Sequence, residues 1–415
     1  MPAPATPYLA TTRRGRPGDD PIFALNAEAT ARKARGETVI NGTLGALLDD
    51  AGKLAVLPTA ARAVHEVAAG EWAAYAPIAG TPAFLAAAIA DAFPTRAHLR
   101  EAAVAVATPG GTGALRHAIA TFLEPRQRLL TTSFYWGPYA TLADENERGL
   151  DTFPMFDAQG RFHVAGLDEA LGRHLSTQGR ALLVLNDPCQ NPTGYSMTAQ
   201  DWEGVAGVLE RHAARGPVAV VLDGAYCAYG PAGDLERPVA ALERLAGRLL
   251  VLVAWTASKT FTHYGLRVGA LVALLPDRAQ RDEVGAALTF ACRGTWSNCN
   301  RGGLVAVTRL LTDPALAAAV KAERAGLVQL LAGRVQAFNA HARRAGLAYP
   351  AYDGGFFVTV LTPRAREAGE ALRQRGTFVV PVDGGLRLGI CAVPEAQLPT
   401  LVEHLAEALR PPAGR

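Results

Sequence analysis

The chain has 415 residues, 49% of them hydrophobic, which is long enough for two domains around a sizeable core. Its 41 basic and 38 acidic residues leave a formal charge of +3, too even a balance for a surface built to hold nucleic acid or an anionic membrane. The longest apolar runs, around Leu249 and Leu271, fall well short of a spanning helix, and the five cysteines lack the C-x-x-C spacing of a zinc site or disulfide framework.

Residues 1–21 are rich in proline and arginine without apolar periodicity and read as a loose N-terminal arm that lies on a partner subunit. The same residues interrupt any secretory apolar region, which points to the cytoplasm. From Val39, VINGTLGALLDDAGKLAVLP gives two apolar runs around Asp-Asp-Ala-Gly, a hairpin signal. After a short helix, Tyr75 and Pro77 sit in a Gly/Pro loop ahead of an amphipathic helix with Thr81 as its N-cap and Pro82 at its first position. The strand Ala102–Thr108 then runs into PGGTGALRHAIATFL, where Ala114, Leu115, Ala118, Ile119, Phe122 and Leu123 form one apolar stripe. Strand, glycine turn and helix N-terminus in that order seat a phosphate, because free N–H groups and the positive helix end face the anion. Two nucleotide readings fail on spacing. Arg116 stands where a dinucleotide fingerprint starting at Gly111 needs its last glycine, and no glycine precedes Lys259 as a Walker lysine requires.

The strand at 128–132 ends in an aromatic loop containing Trp136, and the strand at 181–186 leads into DPCQNPTG, whose prolines present Asn191 on a stiff backbone. Asp223 follows the apolar strand at 218–222, with Tyr226 three positions on. The next strand, 249–254, is apolar throughout, as burial on both faces requires. It delivers Lys259 to its carboxyl end, the edge at which open α/β sheets bind ligands. Thr256, Ser258 and Thr260 flank the lysine, and Arg267 precedes a further strand at 268–274. A lysine ammonium is strongly hydrated, so one held between two core strands needs a partner or a covalent role such as a Schiff base. Arg293 lies three positions before Trp296-Ser297-Asn298. Helical text fills 315–345, and then GGFFVTVL, TFVVPV and GLRLGICAV read as three strands of a small α+β unit closed by a final helix. Arg387 stands in the last of these strands, where a buried guanidinium needs a counter-charge and suits a carboxylate.

In order, Y-A-P-I-A-G at Tyr75, G-G-T-G-A-L-R at Gly110, N-P-T-G at Asn191, the Asp223 and Tyr226 pair, and SK-x(4)-YG-x-RVG at Lys259 resemble the class I aminotransferases, near the aspartate and aromatic amino acid enzymes. The resemblance runs from Tyr75 to Arg387 and implies the fold-type I architecture of pyridoxal-phosphate enzymes. That is an α/β large domain with a mainly parallel seven-stranded sheet flanked by helices, plus a smaller α+β domain. The implied boundaries are 46–324 for the large domain and 22–45 with 325–415 for the small one. It implies that Lys259 binds pyridoxal 5'-phosphate covalently and that Asp223 keeps the pyridine nitrogen protonated, with Tyr226 and Asn191 at the phenolic oxygen. Trp136 would stack on the ring, and Gly111, Thr112, Thr256 and Arg267 would hold the phosphate. Tyr75 would reach the same phosphate from the other subunit of a homodimer. Arg387 would grip the substrate α-carboxylate, and Arg293 a distal carboxylate across the interface, with Trp136 and Asn191 also facing substrate.

The implied activity is transfer of an amino group between an acidic or aromatic amino acid and a 2-oxo acid such as 2-oxoglutarate. Three departures stand out. Gly110 replaces a serine and so lacks a hydroxyl donor, Tyr139 replaces a histidine and so alters a hydrogen bond to the ring-binding carboxylate, and Cys299-Asn300 replaces Pro-Pro. Two other readings share parts of the pattern. A β-lyase or related α-carbon chemistry keeps the fold, and a cofactor-binding regulator needs a helix-turn-helix domain for which the roughly 40 residues before the hairpin are too few.

Overall fold

The computed structural model describes residues 8–18, 20–231, 233 and 235–410, so part of the expected arm lies outside the described residues. Seven strands make the main sheet: β1 (Ala103–Pro109), β2 (Arg128–Thr132), β3 (Gly149–Phe153), β4 (Ala181–Asn186), β5 (Val218–Asp223), β6 (Leu250–Thr256) and β7 (Val268–Leu274). Their order is β1-β7-β6-β5-β4-β2-β3, and β7 alone runs antiparallel to its neighbours. Every residue of β4, β5 and β7 is buried, which is why these strands read as unbroken apolar runs.

Alternate side chains serve opposite faces of the sheet. Leu183, Leu185, Val220 and Leu222 pack with Phe84, Leu171, Trp202 and Val205 of helices Pro82–Ala92, Val164–Gln178 and Ala199–Ala213. Leu182, Val184 and Val221 pack with Leu115, Ile119 and Leu288 of helices Gly110–Phe122 and Arg278–Thr295. Strand β3 had no sequence signal: it is an edge strand, GLDTF, whose first four residues are partly or fully exposed. Thr81 occupies the N-cap position ahead of Pro82 as expected, but its side chain makes no capping bond.

A second, antiparallel sheet orders Val380–Val382, Gly385–Gly389 and Phe357–Leu361, and its apolar cluster takes in Val335 and Phe338 of helix Pro314–Arg344 and Leu401 and Leu405 of helix Leu398–Leu409. TFVVPV is not one strand. Thr377–Phe378 pairs in parallel with Ile40–Asn41, and Val380–Val382 turns away to join Gly385–Gly389. The hairpin expected from Val39 is reduced to a single antiparallel bridge between Leu48 and Leu54. Its apolar residues go to different cores: Val39 to a cluster with Phe378, Leu47 and Ala55 to the small-sheet cluster, and Leu57 to the large one. Side-chain burial in three places prevails over a ladder between the two runs.

No single helix among the described residues is long and apolar enough to cross a membrane. The pair Arg301–Thr312 and Pro314–Arg344 passes that test jointly, by length and composition, with a bend of 89° between them. What matters for the site is that β1, β4, β5 and β6 run in one direction, so Pro109, Asn186, Asp223 and Thr256 all end at one edge.

Candidate active site

At that edge helix Gly110–Phe122 begins directly where β1 stops, leaving its first N–H groups free. Gly110 has φ +69°, and a Cβ built there would lie 2.7 Å from Arg267 Nη2. The guanidinium occupies the space of the expected serine side chain, which accounts for the glycine. Arg267 is itself left-handed at φ +55°. Its Nη1 donates to the Tyr264 carbonyl at 2.8 Å and to Ser258 Oγ at 3.4 Å, and its Nη2 donates to Thr112 Oγ1 at 3.4 Å. Thr256 caps the short helix Ala257–Thr260 by accepting from Ser258 N, and its hydroxyl bonds Ser258 Oγ at 3.0 Å. One guanidinium, three hydroxyls and a helix N-terminus with Gly111 in its first turn thus converge, a donor set that suits a phosphate.

Lys259 lies in that short helix, partly buried, and its Nζ donates to the Gly45 carbonyl at 3.2 Å. It sits 4.6 Å from the centre of the Tyr264 ring, 5.7 Å from that of Tyr226 and 5.9 Å from that of Phe356. Burial among these rings pushes its amine down from 10.5 to about 8; Cys391 opposes the drop, the Arg267 charge adds to it, and Asp223 opposes it. Asp223, only 5% exposed, is the last residue of β5, close enough to the lysine for the two charges to act on each other. Burial raises its pKa, against hydrogen bonds from Tyr139 and the Ala225 amide. The Tyr139 hydroxyl donates to Asp223 Oδ2 at 2.5 Å. The donor differs from the family's histidine, but the bond is made. Asn191 Nδ2 donates to the Tyr226 hydroxyl at 3.4 Å, and the loop is fixed from below by Asn186 Oδ1, which accepts from Asn191 N at 2.7 Å.

Arg387, 5% exposed, lies with its Cζ 4.7 Å from the centre of the Phe357 ring, which in turn packs edge-on against Tyr226. Its Nη2 donates to the Thr43 carbonyl at 2.7 Å, while its buried Nε has no partner. Among the described residues no carboxylate bonds or ion-pairs with it. Trp136 stands in the loop before helix Pro138–Glu145, edge-on to Tyr139 at 5.7 Å.

Contacts thus link Lys259 to Tyr226 and Asn191, Asp223 to Tyr139 and Trp136, Arg267 to Thr112, Ser258 and Thr256, and Arg387 through Phe357 to Tyr226, all at the carboxyl edge of the sheet, the cleft of the candidate site. Two expected residues are elsewhere. Tyr75 is 87% exposed, and Arg293 is exposed at the end of helix Arg278–Thr295, bonded to Ser297 Oγ at 2.9 Å. Among the described residues no hydrogen bond, ion pair or ring contact joins either side chain to Lys259, Asp223 or Arg387.

Several cleft residues escaped the sequence reading. Gly45 is 214 positions from the lysine it faces, and a Cβ there would meet the Phe357 ring at 2.6 Å, a close approach that no local pattern announces. Tyr264 was within reach, five residues past Lys259, but its hydroxyl accepts from Leu47 N and its ring covers the amine, neither of which spacing reveals.

A strand-end lysine set between a buried aspartate and an anion seat, on a mainly parallel seven-stranded sheet, is the architecture of the fold-type I enzymes. Residues 37–405 match the family model described as aminotransferase class I and II, and the chain belongs to that family. It is similar to the aromatic-amino-acid aminotransferase of Paracoccus denitrificans, 28% identical over 94% of this chain and 97% of the relative. It is also similar to the aspartate aminotransferase of Pseudomonas aeruginosa, 27% identical over 94% and 97%. Among solved structures, an aminotransferase from Anaerococcus prevotii superposes with a TM-score of 0.92 at 30% identity, covering 97% of this chain and 99% of that one. An aromatic-amino-acid aminotransferase from Burkholderia pseudomallei, covalently bound to pyridoxal phosphate, shares the fold at TM-score 0.80 and 24% identity, over 97% and 100%. The chain is a pyridoxal-phosphate-dependent aminotransferase, and its reaction is transamination between amino and 2-oxo acids.

Proposed function

We propose that this aminotransferase exchanges the amino group of an acidic or aromatic amino acid with a 2-oxo acid such as 2-oxoglutarate, in a homodimer with shared active sites, in the cytoplasm. The observation that carries the reading is a lysine amine lowered to about 8 within reach of the charge of a buried carboxylate, with a buried arginine whose Nε has no partner among the described residues. The relatives named for aromatic amino acids and for aspartate support the substrate class, and one from Schizosaccharomyces pombe named as cytoplasmic supports the compartment. We also propose that residues 46–324 form the large domain, that 22–45 with 325–415 form the small one, and that 1–21 is an arm.

The residues fit the cofactor by their chemistry. Arg267, Thr112, Thr256 and the Gly111 end of its helix suit the phosphate, and the Gly110 backbone leaves room for the guanidinium. Asp223 would keep the pyridine nitrogen protonated, because an anion in a low-dielectric pocket stabilises a cation beside it. Asn191 and Tyr226, already bonded to each other, would hold the phenolic oxygen, and Trp136 would pack against the ring. When bound, pyridoxal phosphate withdraws electrons from the substrate α-carbon. Lys259 then acts as general base and acid: its amine, about half neutral at pH 8, takes the α-proton and returns it. Arg387 orients the α-carboxylate with its free Nε on the Phe357 shelf. Tyr75 and Arg293 serve the cleft of the second subunit, Arg293 selecting an acidic side chain. A panel of amino acids with 2-oxoglutarate, following glutamate formation, tests the reading. Turnover confined to donors that are neither acidic nor aromatic would discard it.

A further inference from the structure

Cys299 and Asn300 stand where the family pattern has two prolines, and both side chains make bonds, Cys299 to the Pro77 carbonyl and Asn300 to the Leu266 carbonyl. Asn300 makes the most consequential contact. Its Oδ1 accepts from Gly303 N at 3.0 Å, capping helix Arg301–Thr312, and its Nδ2 donates to the Leu266 carbonyl at 2.9 Å. Gly303 N can only donate and the Leu266 carbonyl can only accept, so the two partners fix which way the amide faces.

The Leu266 carbonyl belongs to the peptide that enters Arg267, a non-glycine residue at φ +55°. A left-handed arginine is strained and persists where its surroundings over-determine it. The Tyr264 carbonyl holds the guanidinium at 2.8 Å, and Asn300 holds the entering peptide. The capped helix end also presses on the following residue, since a Cβ at Gly303 would lie 2.6 Å from Val268 Cγ2. We propose that Asn300 is a positioning residue for the phosphate seat, aiming Arg267 through the Leu266 peptide. A proline at this position, as in the family pattern, has no side-chain donor and could not hold the Leu266 carbonyl. The proposal rests on Arg267 holding the cofactor phosphate.

Asn300→Ser separates the two bonds, because serine keeps an oxygen that caps the helix but is too short to reach Leu266. Equilibrium affinities of the cofactor-free enzyme for pyridoxal phosphate and for pyridoxal, which lacks the phosphate, are compared across wild type, Asn300→Ser and Arg267→Gln. Asn300→Ser is expected to weaken pyridoxal phosphate binding about fivefold, the worth of one neutral hydrogen bond, and to leave pyridoxal binding within about twofold. Arg267→Gln is expected to weaken pyridoxal phosphate more than tenfold, with pyridoxal again spared. If Arg267→Gln has its effect and Asn300→Ser has none, or if Asn300→Ser weakens both ligands equally, the positioning role is overturned. If Arg267→Gln leaves pyridoxal phosphate binding intact, the phosphate reading falls first and this proposal with it. Asn300→Thr, with the same capping oxygen, repeats the comparison should the serine variant not fold.

Discussion

The strand-end cluster around Asp223 and the loop shelf of residues 71–77 with 293–301 are built on opposite plans. Both oxygens of Asp223 are bonded, one to Tyr139 and one to the Ala225 amide, on a strand buried along its whole length. On the shelf the backbone is what is held: Asn298 takes Ala76 N at 2.7 Å and Arg301 takes the Tyr75 carbonyl at 2.9 Å, while Tyr75 and Arg293 project outward. Chemistry that tolerates little error is placed on rigid elements and finished within one chain. The shelf has a fixed base and free tips, the form expected of a part that works on another surface.

Loss of Lys259 breaks the first plan most severely. Lys259→Ala should lower turnover by on the order of 10⁴-fold or more, read as keto-acid formation from tyrosine or aspartate. The same amine sets a pH dependence. Only its neutral form attacks an aldehyde, so covalent capture of pyridoxal phosphate by the cofactor-free enzyme should rise about tenfold per pH unit below 8 and level off above it. A rate still climbing at pH 10 would mean that the amine keeps its ordinary value.

Arg387→Ala should raise the KM of acidic and aromatic donors alike, by on the order of 100-fold, because truncating one partner of a buried charged pair costs about 2–5 kcal/mol. Tyr139→Phe is a smaller cut. It leaves packing intact and removes one charge-assisted bond, worth about 1.5–3 kcal/mol, so cofactor affinity should fall at least tenfold. Tyr139→His should recover most of it. Unchanged affinity in the phenylalanine variant would mean that Asp223 is held by its surroundings without the phenol.

The two plans also differ in how far the sequence discloses them. The strand-end cluster was legible because each residue follows an apolar run or a glycine or proline turn: Asp223 after VAVVL, Lys259 after LLVLVA, and Asn191 between prolines. Local chain chemistry dictates where those side chains emerge. What stayed hidden depends on contacts distant in sequence. The Gly45 carbonyl at Lys259, the Thr43 carbonyl at Arg387, and Asn300 beneath Leu266 arise only once two sheets and a helix end have packed. Gly110 looked like a lost donor and proves to be the space that Arg267 fills. Strand β3 was missed for the converse reason: an edge strand has one pairing side and needs no apolar run to form.

Arg293 is where the comparison can be sharpened most finely. In one chain it is an exposed side chain bonded to Ser297, and exposed charges of that kind contribute under about 1 kcal/mol. If it enters the second subunit's cleft, its guanidinium meets a distal carboxylate away from bulk water. Arg293→Ala should then raise the KM for aspartate and glutamate about tenfold, roughly 1.4 kcal/mol, and leave tyrosine within about twofold. Equal small changes for both donor types would make it a surface residue, and the choice of acidic substrates would have to be sought among residues of the chain's own cleft.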